Sequence, residues 1–290
     1  MAVYKRTYKG YEGALTPEWS RFLILPRYAW ASLFKQRFLL IFFVVCFFYP
    51  IGCAVFLYLN ANLGALASLI PGAAQMKGLE VGGAFFNIFT ATQGSLAFIL
   101  TSFIGPGLIS PDLANNALPL YFCRPFSRTE YVLGKLGVVA ILLSSITWIP
   151  GLVLFLMQWS LADANWFAQN SWLAWSIFLG NVIWILLISL LALAISAWVR
   201  WKVVAGAALL LIFFLGTGLS AAINAVMRTT NGEWIDIGAN IARVWSELFR
   251  VKLGDSETIS VEEAWVSLFC ALALCLWLLW KKIRAYEVIR

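Results

Sequence analysis

The sequence predicts an all-α, polytopic membrane protein: six transmembrane helices, an N-terminal interfacial helix, and a short helix between spans two and three. Three observations predict the class. First, 62% of the 290 residues are hydrophobic and 12% are charged, and the mean hydropathy is +0.84. Soluble domains run at roughly 45–50% apolar and about 25% charged residues, so a soluble core could not absorb this much apolar surface. Second, the apolar residues fall into six runs, each near the roughly 20 residues that a spanning helix needs. Third, the basic residues collect on one side of those runs.

In chain order, residues 1–37 are polar and basic, with no apolar core or small-residue cleavage site of a secretory signal. The first span is therefore expected to be a retained anchor. Within Arg21–Arg37, Pro26 suits a helix start. Trp30, Leu33 and Phe34 share one face there, as in a helix lying among lipid headgroups. The spans are expected at 38–59 (with Pro50 as a kink), 86–109, 136–159 (with Pro150), 172–199, 203–227 and 264–280, together forming a transmembrane domain over 38–280. Backbone groups in lipid must be satisfied internally, so these are helices. Residues 281–290 form a tail. In the longest outer loop, the segment 236–252 has Ile237, Ile241, Val244, Trp245, Leu248 and Phe249 at helical spacing. Asn240, Arg243, Glu247 and Arg250 take the other face, the pattern of an amphipathic helix on the outer leaflet or capping the bundle.

Charge sets the orientation. Of the 21 lysines and arginines, only Lys77, Arg228, Arg243, Arg250 and Lys252 fall on the side opposite the termini. Asp163, Glu233, Asp236, Glu247, Asp255, Glu257, Glu262 and Glu263 fall on that opposite side. Both termini are expected in the cytoplasm of a cell (inner or plasma) membrane. The net charge of +7 therefore meets anionic lipid at the edges of the bilayer and implies no nucleic acid partner.

Several chemistries are disfavoured. Histidine is absent, which removes the commonest general base and metal ligand, and no catalytic or metal-binding residue is expected. Cys46, Cys53, Cys123, Cys270 and Cys275 lack CxxC spacing, and four of them lie in apolar runs as small buried hydrophobes. Gly134-Lys135 is followed by leucine and has no upstream glycine in P-loop register, so it is not a nucleotide-binding loop. The middles of the spans carry no charge, which speaks against proton or sodium coupling. The second span is polar-tinted, and Asn87, Thr90, Gln93 and Thr101 are candidates to line a pathway or to bond between helices.

The segment 110–131 is the long polar break on the basic side. Ser110 reads as an N-cap, Pro111 as the first helical residue and Asp112 as a charge favouring the helix dipole. Leu113, Ala117, Leu120 and Tyr121 offer an apolar side. Asn116 tolerates a left-handed turn, whereas Pro119 interrupts a helix interior. Ser127 and Glu130 have capping-box spacing for the helix that becomes span three.

This stretch resembles the corresponding loop of ABC-2 type exporter permeases, where a cytoplasmic coupling helix precedes an RP-x-SR-x-E-x-x-x-GK run entering span three. Here the run is Arg124-Pro125-Phe126-Ser127-Arg128-Thr129-Glu130-Tyr131-Val132-Leu133-Gly134-Lys135. The layout of interfacial helix, six spans and a long outer segment before the last span is similar as well. The part reading Asn115–Pro119 departs from the Gly and Glu often found there. The resemblance implies a permease subunit for hydrophobic, lipid- or drug-like cargo, paired with a second permease subunit (identical or paralogous) and with separate ABC ATPase subunits. It implies no cofactor on this chain, with ATP and Mg on the partner, and ATPase coupling through Asp112, Leu113, Asn116, Leu120, Tyr121, Arg124, Arg128 and Glu130. A non-transporting anchor or scaffold subunit is the alternative.

Overall fold

The computed structural model describes residues 18–62, 80–122, 127–162, 165–252 and 259–284. Among them there is no strand, and six helical stretches are long and apolar enough to cross a membrane, the mark of a multi-pass membrane protein. A 3-10 turn, Glu18–Leu23, leads into α1 (Ile24–Leu33). The first span is α2 (Arg37–Ala61), continuous through Pro50. The second is α3 (Gly83–Ile104) continued by α4 (Pro106–Ala114). After the short α5 (Leu118–Phe122), the third span is α6 (Arg128–Ile146) and α7 (Trp148–Leu161). The short α8 (Trp166–Asn170) leads into α9 (Trp172–Trp198), the fourth span. Then follow α10 (Lys202–Met227), the amphipathic α11 (Ile237–Leu248) and α12 (Val261–Arg284).

These helices differ from the expected spans in one systematic way: α6 starts at Arg128 where span three is expected at 136, and α4 runs to Ala114 where span two is expected to end at 109. The second and third spans are longer than a bilayer needs, and each is broken near a proline. In span two the helical ladder is interrupted at Gly105-Pro106, while Gly105 keeps helical φ and ψ of −52° and −47°. Span three breaks at Thr147, whose φ of −107° and ψ of −92° lie outside the helical region, three residues before Pro150. A proline removes one helical hydrogen bond and its ring crowds the carbonyl four residues earlier.

Span four is the axis of the bundle. Its most apolar window is 72% buried, against 22% for α2 and 28% for both α10 and α12. The peripheral spans turn Phe38, Phe48, Val203, Phe214, Phe269 and Leu274 outward, surface that a bilayer or another membrane chain covers. We call the end of the bundle bearing Arg37, Arg128, Lys202 and Lys281 the basic end, and the other the far end.

The segment after α10 corrects one expectation. Arg228 takes a left-handed conformation and the chain then folds back along α10. A Cβ at Gly216 would come within 3.2 Å of the Ile235 carbonyl, and Gly216 lies eleven residues, about 16 Å, inside the far end of α10. Helix α11 starts at that depth, with the Asp236 carboxylate accepting from the Ala239 N–H at 3.0 Å. It is thus inserted among the spans rather than laid on them. Ile241, Val244, Trp245 and Phe249 are buried as the periodicity predicts. Asn240, placed by that pattern on the polar face, is also fully buried. Its amide donates to the Glu233 carbonyl at 3.0 Å and to Ser267 at 3.0 Å, because neighbours on two sides leave it no water.

Trp245 is the anchor of this insertion. Its indole N–H donates to the Gly180 carbonyl at 3.0 Å, and its ring meets Trp184 edge-on at 5.6 Å. A Cβ at Gly94 would lie 2.7 Å from the Trp245 ring, so glycine is what admits the indole. Trp245→Ala is expected to cost about 3–5 kcal/mol, the usual penalty for emptying a large buried site. Gly94→Val should destabilise the intact chain but much less so the Trp245→Ala chain. Thermal unfolding in detergent micelles reads both effects.

Candidate functional site

The polar elbow between spans two and three forms at the basic end. Gly105 precedes α4, and Pro106 takes its first position, where no N–H is needed. This corrects the expected start at Ser110. Ser110 lies inside α4, fully buried, and caps a different helix: its hydroxyl is 2.7 Å from the Val199 carbonyl and 3.0 Å from the Ser196 carbonyl. These belong to the end of α9, where carbonyls lack intrahelical partners. Ser196 reciprocates. Its hydroxyl donates to the Pro106 carbonyl at 3.0 Å and accepts from the Ser110 N–H at 2.9 Å. The elbow is thereby tied to span four.

Asp112 consequently sits in the last turn of α4, where the helix dipole disfavours an anion. Two groups of α6 compensate. Lys135 Nζ is 2.7 Å from the carboxylate, and the Tyr131 hydroxyl donates to it at 2.7 Å. Lys135 also donates to the Leu108 carbonyl at 2.6 Å. The side chains of Lys135 and Asp112 are only 11% and 17% exposed, so this is a buried ion pair with its hydrogen bonds largely filled.

Helix α4 ends in a Schellman motif. Asn116 is left-handed with φ 50°, and the Ala117 N–H donates to the Asp112 carbonyl at 2.8 Å while that of Asn116 donates to Leu113 at 3.3 Å. The chain then enters α5, where Pro119 is the second residue and forfeits no helical hydrogen bond. Leu113 and Leu118 are buried. Leu120 is 69% exposed. Tyr121 is half-buried, with its ring 5.4 Å from that of Tyr131. Burial, and then the Asp112 charge, push its hydroxyl pKa up.

Residues 123–126 lie outside the described residues, and Arg124 with them. Span three then starts on the expected capping box: the Glu130 N–H donates to Ser127 Oγ at 3.2 Å, and the Ser127 N–H donates to the Glu130 carboxylate at 2.6 Å. Arg128 is the first residue of α6 and half-buried. Gly134, nearly two turns on, admits the N-terminal helix. A Cβ there would lie 2.7 Å from the Leu25 side chain and 2.9 Å from the Phe22 carbonyl. Trp30 completes the contact, its indole N–H donating to the Val138 carbonyl at 3.1 Å.

The polar residues of span two lie apart from the elbow. Asn87 is half-buried, whereas Thr90, Gln93 and Thr101 are fully buried. The Thr101 hydroxyl donates back to the Ala97 carbonyl at 2.7 Å. Gln93 reaches across, its amide nitrogen donating to the Cys46 carbonyl at 2.9 Å and the Ile146 carbonyl at 2.5 Å. The Thr90 hydroxyl and the Gln93 carbonyl oxygen have no partner among the described residues. A cavity of about 480 Å³ opens at the far end, lined by Asn60, Gln158, Asn165, Trp166 and Gln169 among others. No group of His, Cys, Asp and Glu suited to a metal ion occurs among the described residues. No family model matches the chain, and no curated protein matches it.

Sequence reasoning missed Lys135 and Tyr131 as partners of Asp112, and Ser196 as the partner of Ser110. The i, i+4 spacing of Tyr131 and Lys135 on one face of α6 is the signal that was present. Asp112→Leu or Lys135→Met is expected to cost about 3 kcal/mol, because each strands a buried charge. The double variant Asp112→Leu/Lys135→Met should cost less than the sum of the single losses. A double-mutant cycle of thermal unfolding midpoints makes the comparison.

Proposed function

We propose that this chain is the membrane subunit of an ABC-2 type exporter, moving a hydrophobic, lipid- or drug-like substrate outward across a cell membrane. ATP and Mg are used on separate ATPase subunits, and a second permease subunit, identical or paralogous, completes the pathway. In this reading the basic end faces the cytoplasm with both termini, α1 lies among the headgroups, and α4–α5 is the surface on which the ATPase acts.

The observation that carries the reading is the elbow. It is a broken helix at the basic end, capped at its joints, and joined through buried polar contacts to spans three and four. It leads directly into the run from Arg124 to Lys135 that resembles the family. A solvated connector needs no such ties. Force applied at α5 would reach α6 through Asp112–Lys135 and α9 through Ser110–Ser196. Two residues of the run have physical roles consistent with this: Gly134 receives α1, and Lys135 holds Asp112. A partner shifts the permease only where its contact differs between two states, so we assign that contact to Leu120, Tyr121, Arg124 and Arg128, and the shaping of the elbow to Asp112, Leu113, Asn116 and Glu130. Asn87, Thr90, Gln93 and Thr101 stay candidates for the wall of the pathway.

Affinity purification of the tagged chain from its native membrane is expected to bring down an ATPase carrying a Walker motif. Charge reversal at Arg124 and Arg128 together is expected to abolish that association and any stimulation of ATP turnover. Intact assembly and stimulation in the reversed chain would remove the assignment. A complex that lacks any ATPase would mark the chain as an anchor or scaffold.

A further inference from the structure

One amide of span two, that of Gln93, bonds to both span one and span three. A helical proline leaves the carbonyl four residues before it without its amide donor. For Pro50 that carbonyl belongs to Cys46; in span three, Ile146 is the last residue of α6 before the break at Thr147, and Pro150 has no N–H to offer its carbonyl. Both face the Gln93 side chain, at 2.9 and 2.5 Å from Nε2. The nitrogen carries two hydrogens, one for each carbonyl, and both partners are acceptors, so only the NH2 edge of the amide can face them. Cys46, Gln93 and Ile146 are all fully buried, and no water competes for either carbonyl there.

We propose that Gln93 couples two proline hinges, one in span one and one in span three, so that spans one to three bend as a unit. The hinges are physical: Pro50 interrupts the ladder of α2, and span three is already broken at Thr147. Each hinge alone could flex by moving its freed carbonyl. With both carbonyls on one nitrogen, displacing either withdraws the donor from its place between them. Gln93 is a positioning residue in this account, and the account holds whatever the chain transports.

The test replaces the donor and then restores it by a different route. Gln93→Leu leaves both carbonyls without the amide, and the unfolding midpoint of the purified full-length chain is expected to fall by about 5–10 °C. Adding Pro50→Ala gives the Cys46 carbonyl a backbone N–H in α2, and Pro150→Ala restores the N–H that a continuous span three would offer Ile146, so at least half of the loss is expected to return. Pro106→Ala supplies an N–H to neither carbonyl, so any change it brings should be equal in the parent and Gln93→Leu chains. A Gln93→Leu chain as stable as the parent would overturn the proposal, as would a gain from Pro50→Ala and Pro150→Ala no larger in the Gln93→Leu chain than in the parent. Should Gln93→Leu yield no folded protein, recovery of a folded, monodisperse triple variant supports the coupling, and its failure to fold overturns it.

Discussion

Prolines in apolar helices strand backbone carbonyls, and meeting those carbonyls is the constraint that shapes this bundle. Several are met by something from another part of the chain. The Cys46 and Ile146 carbonyls share the Gln93 amide. The Ser102 carbonyl, freed by Pro106, lies against Gly206, where a Cβ would come within 2.7 Å. The Phe22 carbonyl, in the turn just before α1, lies against Gly134 in the same manner. In water these groups would be solvated at no cost. Among apolar side chains each must find a donor or a close backbone C–H, and unmet groups cost several kcal/mol. The positions of spans one, two, three and five, and of α1, follow in part from that need.

The same constraint explains the elbow. Two helix ends meet at the basic end, where α9 finishes with unpaired carbonyls and α4 passes beside it. Ser110 and Ser196 settle both. With Ser110 fixed, Asp112 must lie on the side of α4 facing α6, and a buried carboxylate there requires Lys135 and Tyr131. The elbow is therefore stiff where it joins the spans and exposed at Leu120 on α5. That combination suits a segment on which force is applied from outside the membrane.

Local signals were legible in the sequence, and long-range pairing was not. The six spans follow from hydropathy, since twenty apolar residues have few alternatives. The Ser127–Glu130 capping box and the left-handed Asn116 follow from short-range stereochemistry. The periodicity of 237–249 gave α11 but not its depth, because a helix inserted among others buries polar residues such as Asn240 once they find partners. Ser110 is expected to accept as an N-cap, but its hydroxyl instead donates to carbonyls at the C-terminal end of a helix 86 residues away. Gln93 was recognised as a polar residue in a span. Its two carbonyls lie 47 and 53 residues away, and no local pattern points to them.

Whether an ATPase acts on the elbow, as proposed, can be read from a photoreactive amino acid placed at Leu120 and activated in the native membrane. A crosslink to a Walker-motif ATPase is expected, its yield changing with bound nucleotide, and no such crosslink from the same probe at Gln169 on the far end. Capture of lipid alone from Leu120, or capture of the ATPase from Gln169, would rule that role out.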